Sequence, residues 1–371
     1  MLLNRLLAAN INVPSVCYEE SDLHAEHLDA KHEAHSDIDY SSDSDSSSTE
    51  DVVSFRNLIG LSIELTFKQE QENYATLARS AILDYFENTR VHEHFGSLTP
   101  HPDVERQMRE RIASFNLGIA PKVLERYTQT GLDIVATAFR HTPHDAQVLS
   151  AICTFCTAAF DDGVVSMEAS LQFTQRFIDR VPQLHPLLDL YVDTMVKMRG
   201  PYAGYSASAM VANCLDFGNA EMFTREAGAL DLGPDSGAYI EYMRMKEGFS
   251  DCYACFIWPH ATCPDSKRFI QAIYGAANFI NVVNDMFSFY KEEKAGETWT
   301  YVHNFAKVHG LTIPEALQNV KEQAIAVVRR IRNVLGEGPE REAWESFAAG
   351  YTQFHLMTAR YQLKEILPEY F

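Results

Sequence analysis

The sequence contains no run of 18 or more apolar residues, so no segment of it is predicted to span a bilayer. Basic residues are scarce as well: 31 Lys and Arg stand against 51 Asp and Glu, and the net charge of -20 argues against a nucleic-acid partner. The apolar opening at residues 1–9 is too short for a secretory signal and lacks a cleavage site of small residues. Seven cysteines, an odd number, indicate reduced thiols, and we therefore predict a cytoplasmic protein.

Segments in which apolar and polar residues alternate, as in half-buried strands, are also missing, and no fixed-period repeat is present. From Val53 onward, apolar residues instead recur at helical spacing, and Pro and Gly separate the segments. The pattern predicts an all-α domain of about ten to twelve helices. The clearest of these helices are predicted over 145–162, 166–181, 202–228, 237–258, 265–293, 312–335 and 340–366.

Large apolar residues are rare over residues 37–50, within the part of the chain where acidic ones are concentrated. Residues 1–51 hold 12 acidic side chains against Arg5 and Lys31, a net charge of -10. A segment rich in Ser and Asp cannot bury enough apolar surface to offset the entropy lost on ordering. We therefore predict an acidic, disordered leader over 1–52 and a single domain over 53–371.

Two of the predicted helices contain few charges along most of their length, at 151–160 and 270–283. A helix without a polar face lies inside a bundle or lines an apolar cavity. Acidic residues follow each of them: Asp161-Asp162 after the first, and a polar segment from Asn284 to Glu293 after the second.

Within the second segment, Asn284, Ser288 and Glu292 are spaced by four residues, so a helix places all three on one face. An amide oxygen, a hydroxyl and a carboxylate form an oxygen-only ligand set that suits Mg²⁺. Apolar neighbours on both sides predict that these groups are buried and need partners. Lys291 lies beside Glu292 and can reach a phosphate as a point charge, whereas Asp285 falls outside the column.

Two weaker signals gain meaning beside this column. Asp161, at the end of an apolar helix, offers a second carboxylate to metal ions that hold a diphosphate. Arg360-Tyr361, near the end of the chain, offers a guanidinium fork and a phenol to diphosphate oxygens. An apolar cavity between them would shelter a carbocation and exclude water.

The segment from Asn284 to Glu292 resembles the second metal motif of fungal class I sesquiterpene cyclases of the trichodiene synthase family. The resemblance runs in motif order from about residue 150 to 366. It is supported by Leu215-Asp216-Phe217, by Arg244, Gly248, Cys252 and Trp258-Pro259, and by Tyr351 nine residues before Arg360-Tyr361.

The resemblance implies a class I terpenoid synthase fold, a helical bundle around an apolar cavity, and a Mg²⁺-dependent cyclase that ionises farnesyl diphosphate. It implies three Mg²⁺ ions and a possible homodimer. The implied metal ligands are Asp161, Asn284, Ser288 and Glu292. The diphosphate would be bound by Lys291, Arg360 and Tyr361, with Asp161, Arg360 and Tyr361 acting in catalysis.

Two departures from the family pattern stand out. The acid that usually follows the Asp pair by three or four residues is missing, and the next acid is Glu168. The arginine that senses diphosphate, expected just before Leu215, is replaced by Ala209 or Ala212. The sequence leaves open which of three other arginines takes its place: Arg199, Arg225 or Arg244.

Three alternatives remain beside the cyclase. A chain-elongating prenyltransferase would carry two Asp-rich motifs, and a catalytically degenerate homologue acting as a binding protein would explain the departures. A zinc site built from Cys153-x-x-Cys156 and Cys252-x-x-Cys255 is disfavoured, because such pairs on apolar helices are more simply buried packing contacts.

Overall fold

The computed structural model describes residues 73–371 except 203, 228 and 229, and every regular element in this range is helical. The prediction of an all-α architecture is therefore confirmed. The predicted leader, 1–52, lies outside the described residues. The α-helices are α1 (73–89), α2 (Pro102–Ala113), α3 (Pro121–Thr137), α4 (His144–Asp161), α5 (Met167–Asp179), α6 (Pro186–Lys197), α7 (Gly204–Ala227), α8 (Gly237–Glu247), α9 (Ser250–Phe256), α10 (Ile273–Lys294), α11 (Tyr301–His309), α12 (Ile313–Leu335) and α13 (Pro339–Met357).

The helices α4 and α10 lie in the interior. Every residue of α4 from Leu149 to Asp161 is buried, and so is every residue of α10 from Phe279 to Lys291. Helix α4 packs against α2, α3 and α6, while α10 packs against α9, α12 and α13. Among the helices that the structure describes, none is long and apolar enough to cross a membrane. The two nearly uncharged helices thus occupy the interior, as their sequences predict.

Glycines allow α3 to approach both α4 and α13 closely. A Cβ atom added at Gly350 of α13 would lie 2.0 Å from the carbonyl oxygen of Thr137, and one added at Gly131 would lie 2.5 Å from that of Ala151. Since no side chain fits at either distance, glycine is required at both crossings. The crossings bring α13, which precedes Arg360, and α4, which carries Asp161, against the same helix.

The helix predicted over 265–293 begins at Ile273, after two 3₁₀ turns. Two other predicted helices are also shorter than expected, and both differences affect the site. The segment predicted as one helix over 237–258 is split into α8 and α9 at Gly248 and Phe249, where Phe249 has a φ of 50°. The helix predicted over 340–366 ends at Met357, because Thr358 is extended with a ψ of 120°. Arg360 and Tyr361 therefore lie on a short 3₁₀ turn rather than on a helix.

Candidate active site

Three polar side chains lie one turn apart along α10. Asn284 and Ser288 are 6% and 2% exposed, and the Glu292 side chain is 12% exposed. Asn284 and Glu292 line the same cavity. The structure therefore brings these predicted ligands together in one buried column, where an amide, a hydroxyl and a carboxylate need polar partners.

The Asn284 side chain has two partners. Its Nδ2 lies 3.0 Å from Nε2 of His355 and donates to the Tyr361 hydroxyl at 3.3 Å. The pKa of His355 is lowered to about 3, mainly by burial and to a smaller extent by the charges of Arg360, Arg244 and Lys291. A hydrogen bond with the Tyr351 carbonyl opposes this shift. The ring of His355 is therefore neutral at physiological pH.

Lys291 is buried beside Glu292, to whose Oε1 it donates at 3.1 Å. Burial lowers the pKa of Lys291, the charge of Glu292 opposes that shift, and the nearby charge of Arg360 adds to it. The like charges of the buried Lys291 and the half-buried Arg360 repel each other, and a bound anion would relieve this repulsion.

Arg360 interacts electrostatically with acidic residues of both α4 and α10. Burial lowers the pKa of Arg360 to about 10, and the charges of Tyr361, Glu292, Asp161 and Asp162 oppose this shift. The acidic groups at the end of α4 and Glu292 of α10 therefore both act electrostatically on this half-buried guanidinium.

The two aspartates that end α4 have different surroundings. Asp162 accepts a hydrogen bond from the Tyr127 hydroxyl at 2.8 Å and lies 3.6 Å from Arg126. Its other oxygen, Oδ1, is buried and has no hydrogen-bond partner among the described residues, and burial raises the pKa of Asp162 to about 6. Asp161 is fully buried, and burial followed by the charge of Glu221 raises its pKa.

Glu221 occupies the middle of a face of α7 that covers the end of α4. Phe217, one turn before it, packs on Phe160 with ring centroids 6.1 Å apart. Arg225, one turn after it, donates to the carbonyl oxygens of Phe160 and Val165. Glu221 itself is 1% exposed, so this face places a second buried carboxylate beside Asp161.

A family model for trichodiene synthase (TRI5) matches residues 78–370. The chain belongs to the trichodiene synthase family. The match includes all the predicted site residues, from Asp161 to Tyr361, and it confirms the resemblance that the motifs indicated.

Curated relatives of the chain are fungal terpene synthases. Monoterpene synthase 25 of Postia placenta is 34% identical over 306 residues, which cover 82% of this chain and 91% of the relative. The α-cuprenene synthase COP6 of Coprinopsis cinerea is 28% identical over 258 residues, 68% of this chain and 78% of the relative. The chain is therefore an enzyme of the terpene synthase class, a lyase that acts on a prenyl diphosphate.

Solved structures agree on the fold. The linalool/nerolidol synthase of Streptomyces clavuligerus, crystallised with 2-fluorogeranyl diphosphate, matches with a TM-score of 0.52 at 18% identity, over 71% of this chain and 97% of that chain. The predicted class I terpenoid synthase fold is thus confirmed.

The three arginines that the sequence left open occupy different places in the synthase. Arg199 is exposed, and Arg225 is engaged by backbone carbonyls at the end of α4. Arg244 is buried on α8, lines the cavity of Asn284 and Glu292, and holds Asp285 through contacts of 2.8 to 3.0 Å. Among the three, Arg244 is the one that lines this cavity.

Three buried thiols converge away from the column. Cys153 on α4, Cys214 on α7 and Cys252 on α9 have sulfur atoms within 4.8 Å of one another. The group joins one member of each C-x-x-C pair with a third cysteine, so neither pair forms a site by itself. The six cysteines that the structure describes are all free and buried, in agreement with the expectation of reduced thiols.

Sequence reasoning missed Glu221 and the contact of His355 with Asn284. A signal for Glu221 was present, because it is a charged residue four positions from both Phe217 and Arg225, on one face of the helix. No spacing rule pointed from His355 to Asn284, which is 71 residues away.

Proposed function

We propose that this terpene synthase ionises farnesyl diphosphate with the help of Mg²⁺, cyclises the carbocation to a sesquiterpene and releases diphosphate. The observation that carries the proposal is the buried column of Asn284, Ser288 and Glu292 on α10, with the buried Lys291 donating to Glu292. Cationic side chains framed by oxygen ligands are what a metal-bound diphosphate requires.

The residues present fit a Mg²⁺ site. The ions would be held by Asp161, Asn284, Ser288 and Glu292, each of which offers an oxygen. The family resemblance implies three ions. The buried oxygen Oδ1 of Asp162, which has no hydrogen-bond partner, fits the same purpose. When bound, Mg²⁺ neutralises the charge that develops on the diphosphate leaving group.

The side chains of the protein would bind and orient the diphosphate. The half-buried Arg360 presents a guanidinium fork and the buried Lys291 a point charge, and attraction to an anion is stronger at such sites than in bulk water. The Tyr361 oxygen accepts a hydrogen bond from Asn284, so its own proton is available to a diphosphate oxygen. Burial of these groups also limits the access of water to the carbocation.

Geranyl diphosphate is the second candidate substrate, because one relative is named a monoterpene synthase. A chain-elongating prenyltransferase is less consistent with the Asn284, Ser288 and Glu292 column. A degenerate binding protein is less consistent with the burial of that column. The cytoplasmic location and the homodimer stay predictions.

The test is an incubation of the purified full-length chain with geranyl, farnesyl or geranylgeranyl diphosphate and Mg²⁺, with an EDTA control. We expect a Mg²⁺-dependent cyclic hydrocarbon or alcohol from farnesyl diphosphate, detected by gas chromatography–mass spectrometry. A cyclic product from geranyl diphosphate alone would correct the chain length. Diphosphate left intact in all three incubations, by folded protein, would favour the degenerate homologue.

A further inference from the structure

His355, a residue of α13 with no assigned part in the reaction, contacts a proposed metal ligand. Its side chain is 1% exposed, and Nε2 lies 3.0 Å from Nδ2 of Asn284 on α10. An amide nitrogen can only donate a hydrogen bond, so this contact requires that Nε2 of His355 accepts. Whether Nε2 is an acceptor follows from the other side of the ring.

The opposite ring nitrogen, Nδ1, lies 2.8 Å from the carbonyl oxygen of Tyr351. A carbonyl oxygen can only accept, so Nδ1 carries the proton. In a neutral imidazole, Nε2 is then the acceptor. The atom of Asn284 that faces His355 must accordingly be the amide nitrogen rather than the amide oxygen, which settles an orientation that geometry alone leaves ambiguous.

The second proton of the same amide is also used. Nδ2 of Asn284 donates to the Tyr361 hydroxyl at 3.3 Å, so both amide protons have acceptors on the side of α13 and the 3₁₀ turn after it. Oδ1 accepts no hydrogen bond from the residues that the structure describes, and it points away from both acceptors. Reversal of the amide would place oxygen against the Nε2 lone pair and leave a buried nitrogen in the column.

Aromatic packing holds the imidazole in place. The ring of Tyr351 lies 4.5 Å from that of His355, and the ring of Tyr361 lies 4.7 Å from it, centroid to centroid. Phe354 and Phe287 pack at 5.3 and 6.1 Å. A ring enclosed in this way keeps the direction of its lone pair.

We propose that His355 is a positioning residue that orients the Asn284 amide, so that Oδ1 is directed toward the metal of the proposed site. The inference rests on the proposed function. Neighbours that orient a metal ligand typically change metal affinity by about 10- to 100-fold when they are removed. Tyr351 acts in turn on His355, since its carbonyl fixes the tautomer.

The experiment compares His355→Leu, which removes the acceptor, with His355→Gln, which offers an amide oxygen in its place. Phe354→Leu is the matched control, since Phe354 is the preceding residue, is buried and contacts the ring without bonding Asn284. Binding of Mg²⁺ in the presence of inorganic diphosphate is measured by calorimetry. We expect an affinity about tenfold or more below wild type for His355→Leu, most of it restored in His355→Gln, and no such loss in Phe354→Leu.

A second measurement determines the tautomer of His355 directly and does not require that a variant be active. In wild-type protein labelled with [¹⁵N]histidine, the resonances that disappear in His355→Gln belong to His355. We expect a proton on Nδ1 and none on Nε2; a proton on Nε2 would overturn the proposal. So would wild-type affinity for Mg²⁺ in His355→Leu. If wild-type protein itself neither binds Mg²⁺ with diphosphate nor turns over a prenyl diphosphate, the failure lies with the proposed function instead.

Discussion

At the scale of single residues, two carboxylates of α10, those of Asp285 and Glu292, differ in their hydrogen-bond partners. Asp285 is held by the Arg244 guanidinium, which donates to it through two nitrogens. Glu292 has as its hydrogen-bond partner the adjacent Lys291, at 3.1 Å. A carboxylate matched by a guanidinium fork is satisfied, whereas Glu292 retains capacity for a further ligand. We infer a structural role for Asp285 and a metal-binding role for Glu292.

Glu292→Gln should therefore abolish turnover of the prenyl diphosphate while the helical content stays at the wild-type level. The amide keeps the shape of the side chain but removes the charge that a divalent cation needs. Product formation and far-ultraviolet circular dichroism are measured side by side, with the exposed Glu226→Gln on α7 as the control. Turnover close to wild type in Glu292→Gln would remove Glu292 from the ligand set.

Asp162 provides a pH-dependent test at the same scale. Burial raises its pKa to about 6 in the folded chain, above the ordinary value of 3.8, so the folded state binds this proton more tightly than the unfolded state. The stability that the protonated group contributes is full below about pH 4 and is lost as the pH rises through about 6. The loss amounts to at most about 3 kcal/mol, because one pKa unit corresponds to about 1.4 kcal/mol.

Asp162→Asn should avoid this loss, since the amide imitates the protonated acid and can still accept from Tyr127. We expect its free energy of unfolding, relative to wild type, to increase between pH 4 and pH 6 and to level off above. Urea unfolding in Mg²⁺-free buffer measures both proteins at each pH. A difference that does not change with pH would mean that Asp162 is not buried as described.

At the scale of whole elements, the sequence predicted features that follow from residue spacing within one helix. It missed the contacts between side chains of different helices. The ends of α4 and α12 and the C-terminal end of α10 lie close to the predicted ends, because apolar spacing and Pro or Gly breaks are local signals. The column on α10 followed from spacing alone. The helices α2, α6 and α11 were not predicted.

The missed contacts have a common physical cause. Asp285 with Arg244 and Asn284 with His355 join residues 41 and 71 positions apart, so no local periodicity records them. The division of α8 from α9 escaped prediction because it depends on a left-handed Phe249, a conformation that residue type does not announce for a bulky side chain.

Helix packing gives a prediction at this scale. Gly350→Ala would place a Cβ atom 2.0 Å from the Thr137 carbonyl, and backbone on both sides means that α3 and α13 must move apart. We expect a loss of at least about 2 kcal/mol in the free energy of unfolding, as for other overpacked sites. Gly233→Ala is the control, since nothing lies within 4 Å of its added Cβ and its φ of -96° suits alanine. Chemical denaturation that gives both variants wild-type stability would contradict the close crossing.

At the scale of the whole molecule, both the distribution of charge and the extent of the family match set the first 51 residues apart from the rest of the chain. The family model begins at residue 78, well after the acidic segment. Residues 1–51 carry a net charge of -10 out of -20, which leaves -10 for the remaining chain. The polar composition of the predicted leader cannot supply a core of its own.

We therefore expect a chain that starts at residue 53 to fold and to turn over its substrate at a rate within about twofold of the full-length protein, since a segment of this polar, acidic composition is expected to add little stability. The shorter chain should show the same thermal midpoint in circular dichroism and the same product in gas chromatography–mass spectrometry. The activity of the shorter chain need not depend on ionic strength in the same way as that of the full-length protein, because half of the net charge has been removed. If the shorter chain is folded but inactive, or makes a different product, residues 1–52 contribute to the active site and the predicted domain boundary is wrong.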